Sequence, residues 1–578
     1  MLPVNYIKFL CTLCLAWPLL VTAQGIRIPG SSYVIANHGN IVTQEKWINN
    51  GRFTANGGTI VFAGSTQQIN GTSGTSFHKL TISSGSNTTI ASSGHSVKQL
   101  LKSDGTLNAG NNLTLLANAT QTALIDGSGA GEVLGNLTMQ GWLANGFGYK
   151  YLGSPFQAAT VNEMSDEVNL SSSFAAVYKF DENQASNGWI TYTTATDTLK
   201  PMRGYLFQMG TDLAAKTIDM TGVVNNGNLS ITLYNNNQAY TKGFNLVSNP
   251  YPSPVNWDAS SGWTKTNIDN TIYYFNTNST DQYGGTYSSY INGVSSDDTA
   301  NNIIPAMQGF FVHVSEGTIP VTGTLGVSNA TRITSTPTVY RKLNGTDPVP
   351  LLRLWATFSG NARSDATVLY FQNTATKKFD KKFDALKLMN NTAGVPSLYS
   401  LTADAKKLSI NALPEPDSSI RISLGIHIML GGKVSFFTTD TKALPAGLYA
   451  YLYDAVKDYY HNLKDNSHYL CELPAGIHEQ RFSVVFSRKP ILQQPVTAEA
   501  TATDLFRVAG AGRNLQLILN TAPGEESVIR IINTAGQVLF TKTYTQGGSY
   551  PVSLLIPKGI YLVACYTNHT VITKKIFL

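Results

Sequence analysis

The most regularly spaced acidic residues lie in the segment KKFDKKFDALKL, residues 377–388, which places Asp380 and Asp384 four positions apart. On a helix these two carboxylates would share a face, and clustered carboxylates suit calcium. The segment lacks the Asp-x-Asp-x-Asp-Gly spacing of a calcium loop, and lysines interleave the acids. We therefore interpret it as a solvated charged loop or short helix, with a calcium site as the alternative, and expect no other cofactor.

Catalytic motifs are absent from the sequence. It contains no Gly-x-Ser-x-Gly elbow, His-Glu-x-x-His helix or Walker loop, and His478-Glu479 lacks a second histidine. His461 and His468 are better explained as polar surface residues than as metal ligands. The carboxylate pair of a glycoside hydrolase is set by the fold and not by sequence spacing. We predict no catalytic or metal site, and a secreted hydrolase stays open as the alternative.

The stretch GFNLVSNPYPSPVNWD, residues 243–258, carries the most distinctive aromatic residues. Its prolines fix φ and stop a strand, and the Asn before Pro favours a turn. Tyr251 and Trp257 could stack on sugar rings, although a structural turn packed on a core is the favoured interpretation. The stretch resembles a module of large secreted Bacteroidota proteins, which implies a surface-protein architecture and brings no catalytic residues.

The composition predicts an all-β fold. Only 13% of residues are charged, so Asn, Thr, Ser and Gly must supply the polar surface, and these residues favour turns and strand surfaces over long helices. Short alternating apolar runs between turn residues recur throughout, for example at 59–62, 77–82 and 112–116.

The first residues have the pattern of a secretory signal peptide. One lysine precedes an apolar run that is short for a bilayer span, and small residues follow. We predict cleavage between Ala23 and Gln24, and no transmembrane segment in the mature chain.

The remaining chain divides by composition into five segments. After the signal peptide at 1–23, residues 24–142 are β-solenoid-like or a sandwich, and residues 143–335 form an aromatic-rich β domain. Residues 336–488 are sandwich-like, and residues 489–505 are a Pro/Gln/Ala/Thr linker. Residues 506–578 form a small Ig-like β-sandwich.

The basic excess lies in the last segment. Residues 506–578 hold seven Lys or Arg against two acids, whereas residues 24–505 hold equal numbers of each. A nucleic-acid-binding protein would concentrate basic and aromatic residues on its main surface. We therefore predict no nucleic-acid partner.

The last segment is similar to the C-terminal sorting domain of the type IX secretion system of Bacteroidota. The similarity rests on a glycine in a hairpin turn, an Ile-x-x-Gly-x-Tyr-x-Val element and basic residues in the final strand, which correspond here to Gly536, Gly559, Tyr561, Val563, Lys574 and Lys575. It implies export across the inner and outer membranes, recognition by the type IX translocon and sorting machinery, and a cell-surface or extracellular destination.

Together these features predict an exported, non-enzymatic β-protein that is adhesive, structural or glycan-binding. Its expected partners are the sorting machinery, surface glycans and other surface proteins. The alternative is a secreted hydrolase or carbohydrate-binding protein that acts on polysaccharide or protein.

Overall fold

The computed structural model describes most of the chain outside the first 24 residues. The described residues are 25–277, 280–333, 350–416, 418–440, 444–463, 468–491, 506–511, 514–521, 526–554, 556–557, 559–567 and 571–577. The chain forms two compact units, Met1–Ile491 and Leu492–Leu578. Within the described ranges, no helix has the length and apolar character needed to cross a membrane. The predicted cleavage site at Ala23 and Gln24 lies outside the described residues.

The first part of the larger unit is a stack of parallel coils. Its strands are β1 (Ile26–Ile28), β2 (Tyr33–Ala36), β3 (Asn40–Thr43), β4 (Trp47–Asn49), β5 (Arg52–Ala55), β6 (Thr59–Phe62), β7 (Thr66–Asn70), β8 (Ser76–Ile82), β9 (Asn87–Ile90), β10 (His95–Ser103), β11 (Thr106–Asn108), β12 (Leu113–Leu115), β13 (Ala117–Asn118), β14 (Gln121–Thr122), β15 (Leu124–Ile125), β16 (Glu132–Leu134) and β17 (Leu137–Leu143). One parallel sheet has the order β1-β4-β7-β9-β11-β16, and a second runs β3-β6-β8-β10-β12-β17. Successive coils advance by about 20 residues, as in a β-solenoid.

Stacking of the coils produces a shared aromatic core. The ring of Trp47 lies 5.1 Å from that of Phe53, on the same coil, and 5.7 Å from that of Phe77, on the next coil. The Trp47 indole N–H donates to Thr75 Oγ1 at 3.0 Å, so its polar atom is satisfied. A single coil buries little apolar surface, and the neighbouring coils supply the rest.

In the next part, the described residues form four smaller sheets and two short 3₁₀ turns, Val161–Met164 and Asn329–Thr331. Its strands are β18 (Gly146–Leu152), β19 (Val177–Phe180), β20 (Trp189–Thr191), β21 (Tyr205–Asp212), β22 (Lys216–Gly222), β23 (Leu229–Asn235), β24 (Phe244–Ser248), β25 (Val255–Asn256), β26 (Trp263–Thr266), β27 (Ile272–Thr277), β28 (Gly285–Ile291), β29 (Val294–Ser295), β30 (Ile303–Ile304), β31 (Gly309–His313) and β32 (Val321–Val327). The sheets are β18-β21-β19-β20, β24-β31-β27-β28-β29, β23-β32-β26 and β25-β30. Strand β22 pairs antiparallel with β17 and so ends the second solenoid sheet.

The last part of the larger unit is one extended sheet. Its strands are β33 (Leu351–Phe358), β34 (Ser364–Phe371), β35 (Ala385–Leu386), β36 (Ser397–Leu401), β37 (Lys407–Leu413), β38 (Ser419–Ile428), β39 (Gly432–Asp440), β40 (Tyr449–Asp454), β41 (Tyr459–Asn462), β42 (Tyr469–Leu473) and β43 (Gly476–Ser487). They follow the order β41-β40-β43-β38-β36-β37-β34-β33-β39-β42, with β35 paired to β37.

The described residues of the smaller unit form seven strands in two sheets. They are β44 (Phe506–Ala511), β45 (Asn514–Leu519), β46 (Ser527–Asn533), β47 (Val538–Tyr544), β48 (Gly548–Ser553), β49 (Ile560–Tyr566) and β50 (Val571–Phe577). The sheets β44-β45-β48 and β47-β46-β49-β50 enclose a core that includes Phe506, Ile529 and Val563.

The predicted all-β class is confirmed, including the solenoid-like arrangement near the N-terminus. Every long element is a strand, and α-helix is absent from the described ranges. The five predicted segment boundaries stay predictions.

Replacing Trp47 by alanine tests the coil-stacking core. The indole is buried and contacts one ring of its own coil and one of the next coil, so we expect a loss of about 3–5 kcal/mol in the free energy of unfolding. Urea denaturation followed by far-UV circular dichroism measures the change. Tyr33→Ala, which removes an exposed ring from the first coil, is the matched control. A loss below about 1 kcal/mol for Trp47→Ala would contradict a shared core.

Candidate functional site

Tyr251 and Trp257, the possible sugar-stacking residues of the sequence, lie in the core. Their exposed fractions are 0% and 1%. The Tyr251 ring lies below the Arg332 guanidinium at 5.1 Å, and the Lys265 ammonium lies 3.6 Å from the Trp257 ring centroid. A sugar platform needs an exposed ring face, so these contacts support the structural interpretation of the turn.

A different group of aromatic residues borders a large cavity of the larger unit. This cavity, the groove, has a volume of about 750 Å³ and is lined by residues from the second and third predicted segments. Its exposed or half-buried rings are Trp189, Tyr240 and Tyr287. Tyr240 is 72% exposed, an unusual exposure for a large aromatic side chain.

The groove rings are backed by a packed aromatic cluster. Phe311 lies at its centre, 5.0 Å from Phe180, 6.2 Å from Trp189 and 6.3 Å from Tyr287. The Tyr287 hydroxyl bonds with that of Tyr151 at 3.1 Å. Both half-buried rings are therefore held in fixed orientations, with part of each surface open to the groove.

Tyr240 stands on a loop formed by residues 236–243, the groove loop. The buried carboxylate of Glu182 accepts hydrogen bonds from the backbone N–H groups of Asn236 at 3.0 Å and Gly243 at 3.1 Å, which are the two ends of the loop. The Asn236 side-chain amide donates to the same carboxylate at 2.8 Å. These bonds fix the loop that presents the Tyr240 ring.

Two non-glycine residues of the groove loop adopt left-handed backbone conformations. Asn237 has φ 51° and Lys242 has φ 45°. Such conformations cost free energy and persist where the surroundings impose them, often at binding sites. Here the imposing contacts are the Glu182 bonds and a bond from the Asn235 amide to Val314 O at 3.0 Å.

The groove contains few acidic groups. Glu316 is the sole carboxylate among its described lining residues, and it forms an ion pair with Lys406. Lys387 pairs with Asp365 and Lys407 with Glu479, so most lining cations are neutralised nearby. The groove surface is therefore aromatic and amide-rich with little net charge.

His313, Asp269 and Ser315 do not form a nucleophilic triad at the groove. His313 Nδ1 lies 2.6 Å from Asp269 Oδ2, and Nε2 lies 3.0 Å from Lys242 O. Both ring nitrogens are therefore occupied by groups other than a serine hydroxyl, so neither is placed to act on Ser315 as a general base. The Ser315 hydroxyl donates to Asp269 at 2.7 Å and not to the histidine.

Asp380 and Asp384, the residues of the alternative calcium site, lie in a turn. The two oxygens of Asp384 accept the backbone N–H groups of Asp380 and Ala412, each at 2.7 Å. Burial raises the pKa of Asp384 to about 7. The carboxylate therefore organises its own loop, and the described ranges contain no group of three or more side chains placed to hold a metal ion.

The predicted sorting residues lie in the smaller unit. Gly536, with φ 83°, forms the turn between β46 and β47, and Gly559 precedes β49. Val563 is buried and pairs with Lys574 across β49 and β50. Tyr561 donates from its hydroxyl to Pro557 O at 2.7 Å, and Lys575 is exposed. The strand residues thus meet on one hairpin, whereas the role of the set in sorting stays a prediction.

Sequence reasoning missed Trp189 and Tyr240. The available signals were the turn sequence Asn187-Gly188 directly before Trp189 and the asparagine run that precedes Tyr240. The Asn187 side-chain oxygen accepts the backbone N–H of Trp189 at 3.1 Å, and Gly188 has φ 83°. Both rings therefore follow polar turns, where side chains tend to be exposed.

Comparison with known proteins identifies a family. A family model described as "Domain of unknown function (DUF8693)" matches residues 36–486. No curated protein matches the chain. A solved structure described as "Biofilm associated protein - BSP domain" is similar over 76% of this chain and 92% of that chain, with 9% sequence identity and a TM-score of 0.16. A TM-score of this size gives the likeness no weight for fold or function.

A separate acidic cluster surrounds Glu167. Burial and the neighbouring Asp166 carboxyl raise the pKa of Glu167 to about 8. Its Oε1 accepts the Asp219 N–H at 3.1 Å, and Lys216 donates to its backbone oxygen at 2.8 Å. The folded state therefore disfavours ionisation of Glu167.

Glu167→Gln should make stability less sensitive to alkaline pH. The folded-state pKa of about 8 exceeds the ordinary value of 4.5, so ionisation of Glu167 lowers the stability of the wild-type protein. This loss of stability is absent below pH 4.5 and complete above pH 8. The amide retains the acceptor for Asp219 but carries no charge. We expect the variant to match wild type at acidic pH and to exceed it by roughly 1–3 kcal/mol above pH 8.

Denaturant titrations across this pH range measure the effect, with the exposed Glu45→Gln as the control. A Glu167→Gln effect that is the same at every pH would show that ionisation of Glu167 has no energetic cost.

Proposed function

We propose that this chain, which belongs to the DUF8693 family, is an exported, non-enzymatic cell-surface β-protein whose groove binds glycans. The observation that carries the proposal is the groove, where Trp189, Tyr240 and Tyr287 offer ring surface beside amide side chains on a fixed scaffold. Rigid, partly exposed rings with a few polar groups are typical of ligand sites. Sugar rings suit such sites because they combine apolar C–H faces with hydroxyl groups.

The acidic groups of the groove favour binding over hydrolysis. Glycoside hydrolases generally use two carboxylates on either side of the scissile bond. Among its described lining residues the groove offers Glu316 alone, and that carboxylate is exposed and paired with Lys406. These features support a binding protein over the hydrolase alternative.

The export route in this proposal rests on the signal-like N-terminus and on the sorting-domain resemblance of residues 506–578. The smaller compact unit, which starts at Leu492, is compatible with a domain that a translocon recognises in folded form. We propose that the type IX machinery delivers the chain to the cell surface, where other surface proteins are further candidate partners.

Removal of the Tyr240 or the Trp189 ring should weaken glycan binding without unfolding the protein. We expect Tyr240→Ala and Trp189→Ala each to weaken the best glycan on an array by about five-fold or more, because each removes about 1 kcal/mol or more of ring contact. Isothermal titration with that glycan measures the affinity, and circular dichroism checks the fold.

Tyr33→Ala is the matched control, since it removes an exposed tyrosine that lines no described cavity. Equal affinity of wild type, Tyr240→Ala and Trp189→Ala would place glycan binding outside the groove. Turnover of the bound glycan, lost on substitution of a single carboxylate, would favour the hydrolase alternative.

Deletion of residues 506–578 should retain the protein in the periplasm of a host with a type IX system. Fractionation and protease treatment of intact cells measure surface display. Lys575→Ala offers a milder variant, because its side chain is exposed and its loss should leave the β49–β50 hairpin folded. Normal surface display of the deletion variant would refute the sorting assignment.

A further inference from the structure

A second cavity of the larger unit has a different chemical character. It has a volume of about 270 Å³ and shares Phe180 with the groove. We call it the basic cavity, because Lys179, Lys200 and Arg203 line it together with Tyr192 and Tyr205.

The Lys179 ammonium packs against a stack of two tyrosine rings. Its ammonium lies 5.0 Å from the centroid of Tyr192, which stacks on Tyr205 at 5.3 Å with an interplanar angle of 24°. Both tyrosine hydroxyls donate to Thr198 O, at 2.9 and 3.3 Å. The tyrosine stack that makes the cation–π contact is therefore itself held in place by hydrogen bonds.

The other two cations flank a constrained turn. Met202 lies between Pro201 and Arg203 with φ 62°, and its side chain is 1% exposed. The Lys200 N–H donates to the Tyr205 hydroxyl at 2.9 Å. A buried, left-handed, non-glycine residue is held by its surroundings, so the backbone positions of Lys200 and Arg203 are fixed.

These three cations form no ion pair within the described part of the chain. They outnumber the carboxylates that line the same cavity, Asp181 and Glu182, which leaves its lining with a net charge of +1. The two carboxylates that line the cavity are occupied by amide donors. Glu182 binds the groove loop, and Asp181 accepts the Asn183 N–H at 3.0 Å.

We propose that the basic cavity binds an oxyanion, namely a phosphate, sulfate or carboxylate group. Two ammonium groups and one guanidinium outnumber the two lining carboxylates and form no ion pair with them, which favours an anion of this size. The site is distinct from the groove, so it adds to the proposed function and does not depend on it.

Titration of the full chain with inorganic phosphate, sodium sulfate, glucuronate and glucose tests the site. We expect saturable binding of at least one anion by isothermal titration, weakened by added salt, and no binding of glucose in this cavity. Lys179→Met and Lys200→Met keep an apolar stem but remove the charge, and each should weaken the anion by about ten-fold or more.

Lys102→Met, which removes a lysine paired with Asp104 on the solenoid, should leave anion affinity unchanged, as should Tyr240→Ala in the groove. Phosphate or sulfate binding would assign a tetrahedral oxyanion, and glucuronate binding alone would assign a sugar carboxylate. Absence of anion binding, or binding that survives both lysine substitutions, would overturn the proposal even if the groove binds glycan.

Discussion

The arrangement of the groove depends on the pairing of one buried carboxylate. Glu182 is 2% exposed, and a buried charge is costly unless hydrogen bonds compensate it. The donors come from the two ends of the groove loop, at Asn236 and Gly243. The hydrogen bonds that satisfy the carboxylate are therefore the same bonds that hold the two ends of the loop together. The free energy of these charge-assisted bonds offsets the left-handed conformations of Asn237 and Lys242.

The same requirement shapes the interior of the solenoid, where turns bring polar groups inside. His95 is buried, and its Nδ1 accepts the backbone N–H of Thr75 at 3.0 Å. Burial lowers the pKa of His95 to about 4, so the ring is neutral near pH 7 and keeps the lone pair that this bond needs. Thr75 in turn accepts the Trp47 indole N–H. Polar pairing thus connects neighbouring coils at the positions where the apolar core ends.

The sequence predicts the local strands well and the candidate functional surface poorly. Strands expected at 59–62, 77–82 and 112–116 are found at Thr59–Phe62, Ser76–Ile82 and Leu113–Leu115, because alternation and turn residues are local signals. The exposure of an aromatic ring depends instead on distant partners. Tyr251 and Trp257 are buried beside Arg332 and Lys265, and no spacing rule connects those residues. Tyr240 is exposed because Glu182, far away in the sequence, fixes its loop.

One short hairpin, β19–β20 with its turn, connects the two cavities. It supplies Lys179 to the basic cavity, Trp189 to the groove, Phe180 to both, and Glu182 to the groove loop. Pairing of β19 with β21 fixes this hairpin in a sheet whose aromatic face is buried. Ligand atoms at either cavity would therefore meet side chains that already occupy their binding positions. Such preorganisation lowers the entropic cost of association. It suits a binding protein better than an enzyme that must distort its substrate.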